Sequence, residues 1–142
     1  MDDFLTSFRV TSSGLSAQRL RLNIIAENLA NAQTTRTAEG GPYRRKDPVF
    51  SSKPFDEMLS REQRAATTGV AVERIQVDER PPRMQYDPSH PDANAEGYVA
   101  MPNVDPVAEM VNMMAASRAY ESNVTVLNAS KAMAMKALEI GR

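Results

Sequence analysis

The chain has 142 residues, which fits one domain of ordinary size and is too short for two full hydrophobic cores. Its 17 Lys and Arg residues against 18 Asp and Glu residues give a formal net charge of −1, without the basic excess of nucleic-acid-binding proteins, so no nucleic-acid partner is expected. The chain contains no Cys, which excludes disulfides and thiolate metal sites.

The N-terminal region predicts one long amphipathic helix. Residues 3–32 contain no Pro, and only Gly14 interrupts the helical pattern. Charged residues such as Arg9, Arg19 and Glu27 lie on the face opposite the apolar residues. The apolar stripe of this helix comprises Phe4, Phe8, Leu15, Leu22, Ile25, Leu29 and Ala32, with Thr11 and Gln18 at its two polar positions.

The first residues do not form a secretory signal. Asp2 and Asp3 are acidic where a signal peptide needs positive charge, and no apolar run follows them. No other segment is apolar enough to span a membrane, so the protein is not expected to be membrane-spanning. We therefore expect any export to proceed without a cleavable signal peptide.

The middle of the chain predicts a small β-rich region. Residues 33–104 hold all but one of the prolines and show little helical periodicity. The alternation of apolar residues over 70–77 predicts a strand, and its change of phase near Arg74 predicts a β-bulge. Residues 84–86 are expected to begin a return strand, and residues 87–97 to form a loop.

Three shorter features of this region also carry predictions. Residues 55–64 are compatible with a short helix. The pair Gly40 and Gly41 lacks the Lys-Ser/Thr of a phosphate-binding loop, so it is interpreted as a turn. The basic run from Arg44 to Lys46 is interpreted as a solvated surface or, in a filament, as a partner for an acidic neighbour.

The C-terminal region predicts a second helix of unusual length. Asp105 is a good N-cap, Pro106 suits the first helical position, and no Pro or Gly follows before Ile140. A helix of about 34 residues would be ~50 Å long, which is typical of a coiled coil or a filament rather than a globular domain. Its predicted apolar stripe comprises Met110, Met113, Ser117, Tyr120, Val124, Leu127, Lys131, Ala134 and Leu138.

These elements predict a mainly α fold in which two long terminal helices pair as an antiparallel coiled coil, with a small irregular β-rich middle segment. Residues 1–34 and 105–142 supply the N-terminal and C-terminal helices of the core domain. Residues 35–104 form the extended, β-rich middle segment with its loops. Neither helix can bury its stripe alone, so any surplus apolar surface is expected to contact another subunit.

The sequence predicts no catalytic, metal-binding or cofactor-binding residues. His90 is the only His and lies in a Pro-rich loop, where a solvated turn is a better interpretation than a catalytic triad. Without Cys, no nucleophile, base and orienting group can be assembled around it, which disfavours an enzyme. A coiled-coil adaptor or chaperone remains an alternative, because it would explain the two helices equally well.

Three blocks of sequence resemble the flagellar rod and hook family. They are SGLSAQRLRLNIIAENLANAQTTR from Ser13, GGPYRRKDPVF from Gly40, and GYVAMPNVDPVAEM with the rest of the C-terminal helix from Gly97. The NLANA stretch is similar to the whole family, whereas GGPYRRK, YVAMPNVD and the final KALEIG resemble its short proximal-rod members. Another short proximal-rod subunit of the same family is the nearest alternative. An adaptor or chaperone would not explain these blocks.

The resemblance implies a structural subunit of the flagellar basal body, in the rod that crosses the periplasm. Such a subunit is exported by the flagellar type III apparatus, assembles helically and transmits torque from the motor to the hook. Its implied partners are copies of itself, other proximal and distal rod subunits, the rod–MS-ring junction protein, the export apparatus and the rod cap.

The resemblance also suggests roles for individual residues. Asn28 and Asn31 are either helix-end amides in water or, as the resemblance favours, groups that hydrogen-bond neighbouring backbone inside the tube of the rod. Tyr120 and Asn123 are open to the same two interpretations. Phe4 and Phe8 are candidates for export recognition, besides their place in the apolar stripe. The residues predicted to form the helix-packing or assembly interface are Phe8, Leu15, Leu22, Ile25, Asn28, Leu29, Asn31, Met110, Met113, Tyr120, Asn123, Val124, Leu127 and Leu138.

Overall fold

The computed structural model describes residues 2–54 and 68–140, which form two long helices and two small antiparallel sheets. In chain order the elements are α1 (Asp2–Ala30), β1 (Lys46–Pro54), β2 (Thr68–Val77), β3 (Arg83–Tyr86), β4 (Tyr98–Met101) and α2 (Pro106–Ile140). The helix predicted at 55–64 lies outside the described residues. Within the described residues, no helix has the length and hydropathy needed to cross a membrane.

Both helices begin and end close to where the sequence predicts. The N-cap role of Asp105 is confirmed, because its Oδ1 accepts a hydrogen bond from the backbone N–H of Val107 at 2.9 Å. Pro106 is the first residue of α2, where its missing N–H costs no helical hydrogen bond. At 35 residues, α2 is about 50 Å long.

The two helices pack against each other in antiparallel orientation. Near one end of the pair, Asn28 of α1 hydrogen-bonds Glu109 of α2. Fourteen residues earlier in α1, Gly14 meets Asn123, which lies fourteen residues later in α2. These two contacts show that the helices run in opposite directions, and they define the register in which the helices are aligned.

Small side chains form much of the contact between the helices. Ala17 is 6% exposed and Ala116 is fully buried. A Cβ atom built on Gly14 would lie only 3.2 Å from Nδ2 of Asn123, so the glycine permits a close approach there. Helices that approach through small residues leave their bulky side chains on the outer faces.

The predicted stripe of α2 agrees only in part with its observed inner face. Met110 and Leu138 were expected in that stripe, but they are 56% and 66% exposed. By the register of the pair, Leu138 lies beyond the start of α1, so α1 has no residue to cover it. The positions that face α1 include buried Glu109 and Ala116, which a search for apolar periodicity does not select.

The β-strands form two separate two-stranded sheets. β1 pairs with β2, and β3 pairs with β4, all antiparallel. The predicted bulge is confirmed, because Val49 pairs with Arg74 and Phe50 with Val72, which leaves Glu73 as the extra residue. The strand predicted at 84–86 is also present, but it pairs with β4.

The first sheet lies along α1. Its end near Lys46 is close to Asn28, and its other end is close to Ser13, whose Oγ accepts a hydrogen bond from the Val70 backbone N–H at 3.1 Å. Residues 87–97 form the predicted loop between β3 and β4. The first sheet thus packs along α1, and the second sheet is connected to the helix pair just before the start of α2.

Candidate functional site

Asn28 is the centre of a buried polar network at one end of the helix pair. The side chain is fully buried. Its Nδ2 donates hydrogen bonds to the Lys46 carbonyl at 2.8 Å and to Oε2 of Glu109 at 3.0 Å. Its Oδ1 accepts from the Lys46 backbone N–H at 2.9 Å and from the Tyr43 hydroxyl at 3.0 Å. All four hydrogen-bonding positions of the amide are therefore used.

Glu109 brings a negative charge into this network and pairs it with Arg45. The Glu109 side chain is 2% exposed, and its Oε1 accepts a hydrogen bond from Nε of Arg45 at 2.7 Å. Burial alone would lower the pKa of Arg45, but the hydrogen bonds and charges of Glu109 and Asp47 outweigh it, so that pKa is raised. The buried carboxylate is thus compensated by a guanidinium and an amide.

Tyr43 connects the polar network to a small apolar cluster with Ala32 and Val104. Burial, followed by the negative charges of Glu27 and Glu109, raises the pKa of Tyr43 to about 12. The hydroxyl therefore stays protonated at neutral pH and donates to Asn28. This cluster covers the polar network from the side where α1 ends.

A tight turn brings Tyr43 and Arg45 back onto α1. Gly40 and Gly41 have φ angles of 89° and 77°, in the left-handed region that glycine adopts without strain. The backbone N–H of Thr37 donates to the Gly41 carbonyl at 2.9 Å and closes the turn. The turn predicted at this glycine pair is confirmed.

Asn103 ties the same segment to the start of α2. Its Oδ1 accepts a hydrogen bond from the Arg45 backbone N–H at 2.8 Å, and its Nδ2 donates to the carbonyl of Asp78 at 3.3 Å. Asn103 lies three residues before Pro106, where α2 begins. The network therefore joins both helices, the turn and the end of β2 at one point.

The outer face of α2 presents an apolar surface that nothing in the described chain covers. It is formed by residues at helical spacings of three, four and seven, which place them on one face. This face is opposite to buried Glu109 and Ala116. We call it the α2 stripe, and it consists of Val107, Met110, Val111 and Met114, which are 70%, 56%, 55% and 58% exposed.

The residues predicted as packing or assembly contacts occupy three kinds of position. Ile25 and Asn28 are buried, and Phe8, Met110 and Leu138 are exposed. The side chain of Phe4 lies outside the described part of the chain. The half-buried members are Leu15, Leu22, Leu29, Asn31, Met113, Tyr120, Asn123, Val124 and Leu127.

Asn28 and Asn31 both hydrogen-bond backbone groups of their own chain. Asn28 bonds both backbone groups of Lys46, whereas Nδ2 of Asn31 donates to the Glu27 carbonyl of its own helix at 2.9 Å. The interpretation of residues 44–46 as a solvated surface is wrong for Arg45, whose side chain is 18% exposed. The sequence around Arg45 does not indicate this burial, because its partner Glu109 lies far along the chain.

The loop around His90 is docked onto the segment that follows α1. Nδ1 of His90 accepts a hydrogen bond from the Asp92 backbone N–H at 3.1 Å. The Asp92 carboxylate accepts from Oγ1 of Thr35 at 2.8 Å and pairs with Arg36, and these contacts lower the pKa of Asp92. Among residues 2–54 and 68–140, no cluster of three or more His, Asp or Glu side chains is placed to hold a metal ion.

Comparison with known proteins gives two matches to family descriptions. The sequence pattern of a family described as flagella basal body rod protein matches residues 8–36. A second pattern, described as the C-terminal part of the flagellar basal body rod FlgEFG proteins, matches residues 95–140. The matched ranges cover most of α1 and all of α2, together with β4.

Similar proteins match along almost the whole chain. The flagellar basal-body rod protein FlgC of Bacillus subtilis is 47% identical over 145 residues, which cover 96% of this chain and 97% of that protein. FlgC of Borreliella burgdorferi is 45% identical, and the aligned region covers 95% of this chain and 95% of that protein. FlgC of Escherichia coli O157:H7 is 45% identical over 97% of this chain and 98% of its own.

Proposed function

The chain belongs to the FlgC family of flagellar basal-body rod proteins, and we propose that it builds the proximal rod as a helically arranged, torque-bearing subunit. A role as a structural component of the rod follows from the family. The proposal adds three points to this role: the position in the proximal rod, the helical arrangement and the transmission of torque.

The exposed α2 stripe is the observation that supports this proposal most. Four large apolar side chains on one helical face are more than scattered exposed residues, and a contiguous apolar patch is typical of a protein–protein contact. In an assembly, a neighbouring subunit would cover this face. The subunit therefore presents large apolar residues of α2 on its surface, where a neighbour would bury them.

The packing of α1 against α2 also suits a subunit that bears mechanical torque. The buried network of Asn28, Arg45 and Glu109 holds the helix pair and the segment before β1 in one arrangement. Hydrogen bonds with defined geometry resist sliding of the two helices more than apolar contact alone. We propose that residues 1–34 and 105–142 form the core domain as a coiled coil, and that residues 35–104 form a middle segment that contacts neighbours.

The partners proposed for this subunit follow from its family. They are further copies of the chain, the other proximal and distal rod subunits, the rod–MS-ring junction protein and the rod cap. The flagellar type III apparatus is the proposed export route, because the rod lies beyond the cytoplasmic membrane.

Isolation of basal bodies tests the proposal. A strain that lacks this chain is expected to be non-motile and to yield no complete rods, and a plasmid copy is expected to restore both. A small epitope tag on the plasmid copy should be found in the purified rods by immunoelectron microscopy, close to the MS ring. Intact rods in the deletion strain would contradict the proposal, and so would a tag found only in the cytoplasm.

A further inference from the structure

Along one line of the face of α2 that packs against α1, positions seven residues apart carry side chains that vary little in size, apart from the first. At intervals of seven residues this line carries Glu109, Ala116, Asn123 and Ser130, of which the first two are buried and the others half-buried. Apart from Glu109, these side chains are small or moderately sized. Packing of such residues distinguishes poorly between one register and the next, because each seven-residue step offers a similar surface.

The contact in the middle of the pair does not exclude another register. Gly14 approaches Asn123 so closely that an added Cβ atom would lie 3.2 Å from Nδ2 of Asn123. A shift of α2 by seven residues would bring Ser130 to this position. Because serine is smaller than asparagine, the glycine would accept it without a clash.

The connection between the helices does not fix the register by its length. Residues 31–105 separate α1 from α2, and such a long segment could span the ends of the pair in either register. Within this segment, the start of α2 is oriented by hydrogen bonds of Asn103 with Arg45 and Asp78, and by the packing of Val104 against Tyr43 and Ala32. Arg45 in turn belongs to the network around Asn28 and Glu109.

A shift becomes unfavourable at Asn28 and Glu109. It would place the methyl group of Ala116 opposite the Asn28 amide, and it would remove the Glu109 carboxylate from both Asn28 and Arg45. The Asn28 amide would then be buried with an unpaired donor, whose desolvation is not compensated. We infer that Asn28 and Glu109 form a register lock, which selects one alignment of α1 and α2 from several that packing alone would allow.

The lock has a consequence for assembly that rests on the proposed function. A seven-residue shift would move the α2 stripe by ~10 Å relative to α1 and the sheet beside it. Val107 and Met114 would then be displaced along the helix axis relative to the neighbouring subunit that they are proposed to contact. The inference about the register itself holds for any function of the chain.

Disulfide trapping in the purified full chain reads the register directly. The protein has no native Cys, so introduced thiols are the only ones that can be oxidised. Gly14→Cys combined with Asn123→Cys reports the observed register, and Gly14→Cys combined with Ser130→Cys reports the shifted one. The rate of cross-linking under a mild oxidant is followed by the change in mobility on non-reducing gels.

Three backgrounds are compared. The first has the native network, and the second carries Asn28→Ala with Glu109→Ala, which makes positions 109 and 116 equivalent. The third carries Glu27→Gln, a matched control that removes the exposed ion pair from Glu27 to Lys46 at the same end of α1. In the native and control backgrounds, the 14–123 pair should cross-link faster than the 14–130 pair by about tenfold or more.

In the double-alanine background this preference should largely disappear. If the preference is retained, or if neither pair forms because the helices separate, the network does not act as a register lock. A relocation variant gives an independent test that does not depend on removing the polar groups. Glu109→Ala with Ala116→Glu should make the 14–130 pair the faster one, and a continued preference for 14–123 would overturn the inference.

Discussion

Asn28 of α1 and Glu109 of α2 lie 81 residues apart in the sequence and are joined by a hydrogen bond of 3.0 Å between two buried side chains. Both N–H groups of the Asn28 amide are used, one by Glu109 and the other by the Lys46 carbonyl. Arg45 supplies the opposite charge, and both backbone groups of Lys46 bond Asn28. This contact holds the two helices and the turn between them as one unit.

We predict that Asn28→Asp strongly destabilises the protein. The change replaces two N–H donors by carboxylate oxygens that face Glu109 and the Lys46 carbonyl, so like charges and unpaired acceptors are buried together. The free energy of unfolding should fall by about 3–5 kcal/mol, the range found when a buried charge loses its partner. Urea unfolding followed by circular dichroism measures this change.

Asn23→Asp is the matched control, because Asn23 is exposed on the same helix. Its effect should stay within about 0.5 kcal/mol, as expected for an exposed position. An equal effect of the two substitutions would show that Asn28 is not the centre of a buried network.

The sequence predicted the two helices and their ends because these depend on local signals. Asp105 and Pro106 mark the start of α2, and the absence of Pro and Gly up to Ile140 marks its length. The network could not be predicted in this way. It depends on the meeting of Asn28 with Glu109 and with the backbone of Lys46, and these contacts form only when distant segments are folded together.

The inner face of α2 was predicted only in part, for a related reason. Periodicity of apolar residues selects Met110 as a packing residue, but the helices approach through Gly14, Ala17 and Ala116, which leaves Met110 outside. The pairing of β3 with β4 was missed because the short strand at 98–101 has no strong local signal. The expectation that surplus apolar surface contacts another subunit stays a prediction.

A second prediction concerns alkaline pH. The pKa of Tyr43 is raised to about 12 from the ordinary 10.0, so the folded protein holds this proton more tightly than the unfolded chain. The resulting stability is fully present below pH 10 and is lost as the pH rises through 12. Tyr43→Phe should lower stability at neutral pH by removing the hydrogen bond to Asn28, yet its stability should decline less between pH 10 and 12.

Tyrosine absorbance near 295 nm measures the ionisation directly. The native protein should show one late step that is absent in Tyr43→Phe, while Tyr86→Phe, at an exposed tyrosine, should retain it. A late step that persists in Tyr43→Phe would assign the raised pKa to another residue.

The third prediction separates export from packing at the start of α1. Replacing Phe4 and Phe8 with Ala should reduce secretion through the flagellar apparatus, while the cytoplasmic level stays the same or rises. Phe8 is 39% exposed in the folded chain, and the side chain of Phe4 lies outside the described residues. The measurement is the amount of protein in the culture supernatant of cells that are blocked at rod assembly.

Phe50→Ala provides a control with an aromatic residue of similar exposure, 37%, in β1. It should be secreted normally. Normal secretion of the variant at Phe4 and Phe8, with no rod formed, would leave both residues as packing residues only.

The central claim is that the α2 stripe is a contact between subunits of the rod. We predict that Met110→Asp with Met114→Asp leaves the subunit folded, because both side chains are exposed, but prevents its incorporation. A charge on this face would be buried without a partner when a neighbour covers it. Met110→Leu with Met114→Leu, which keeps the same two positions apolar, is the matched control.

The most direct measurement is the amount of each variant in isolated basal bodies, determined by immunoblot in a strain that lacks the native chain. The unfolding transition of each purified variant, measured in parallel, confirms that it is folded. We predict that the double aspartate variant is secreted but missing from rods, and that the double leucine variant is incorporated normally. Recovery of the folded double aspartate variant in rods at the native level would contradict the assignment of the α2 stripe as an assembly contact.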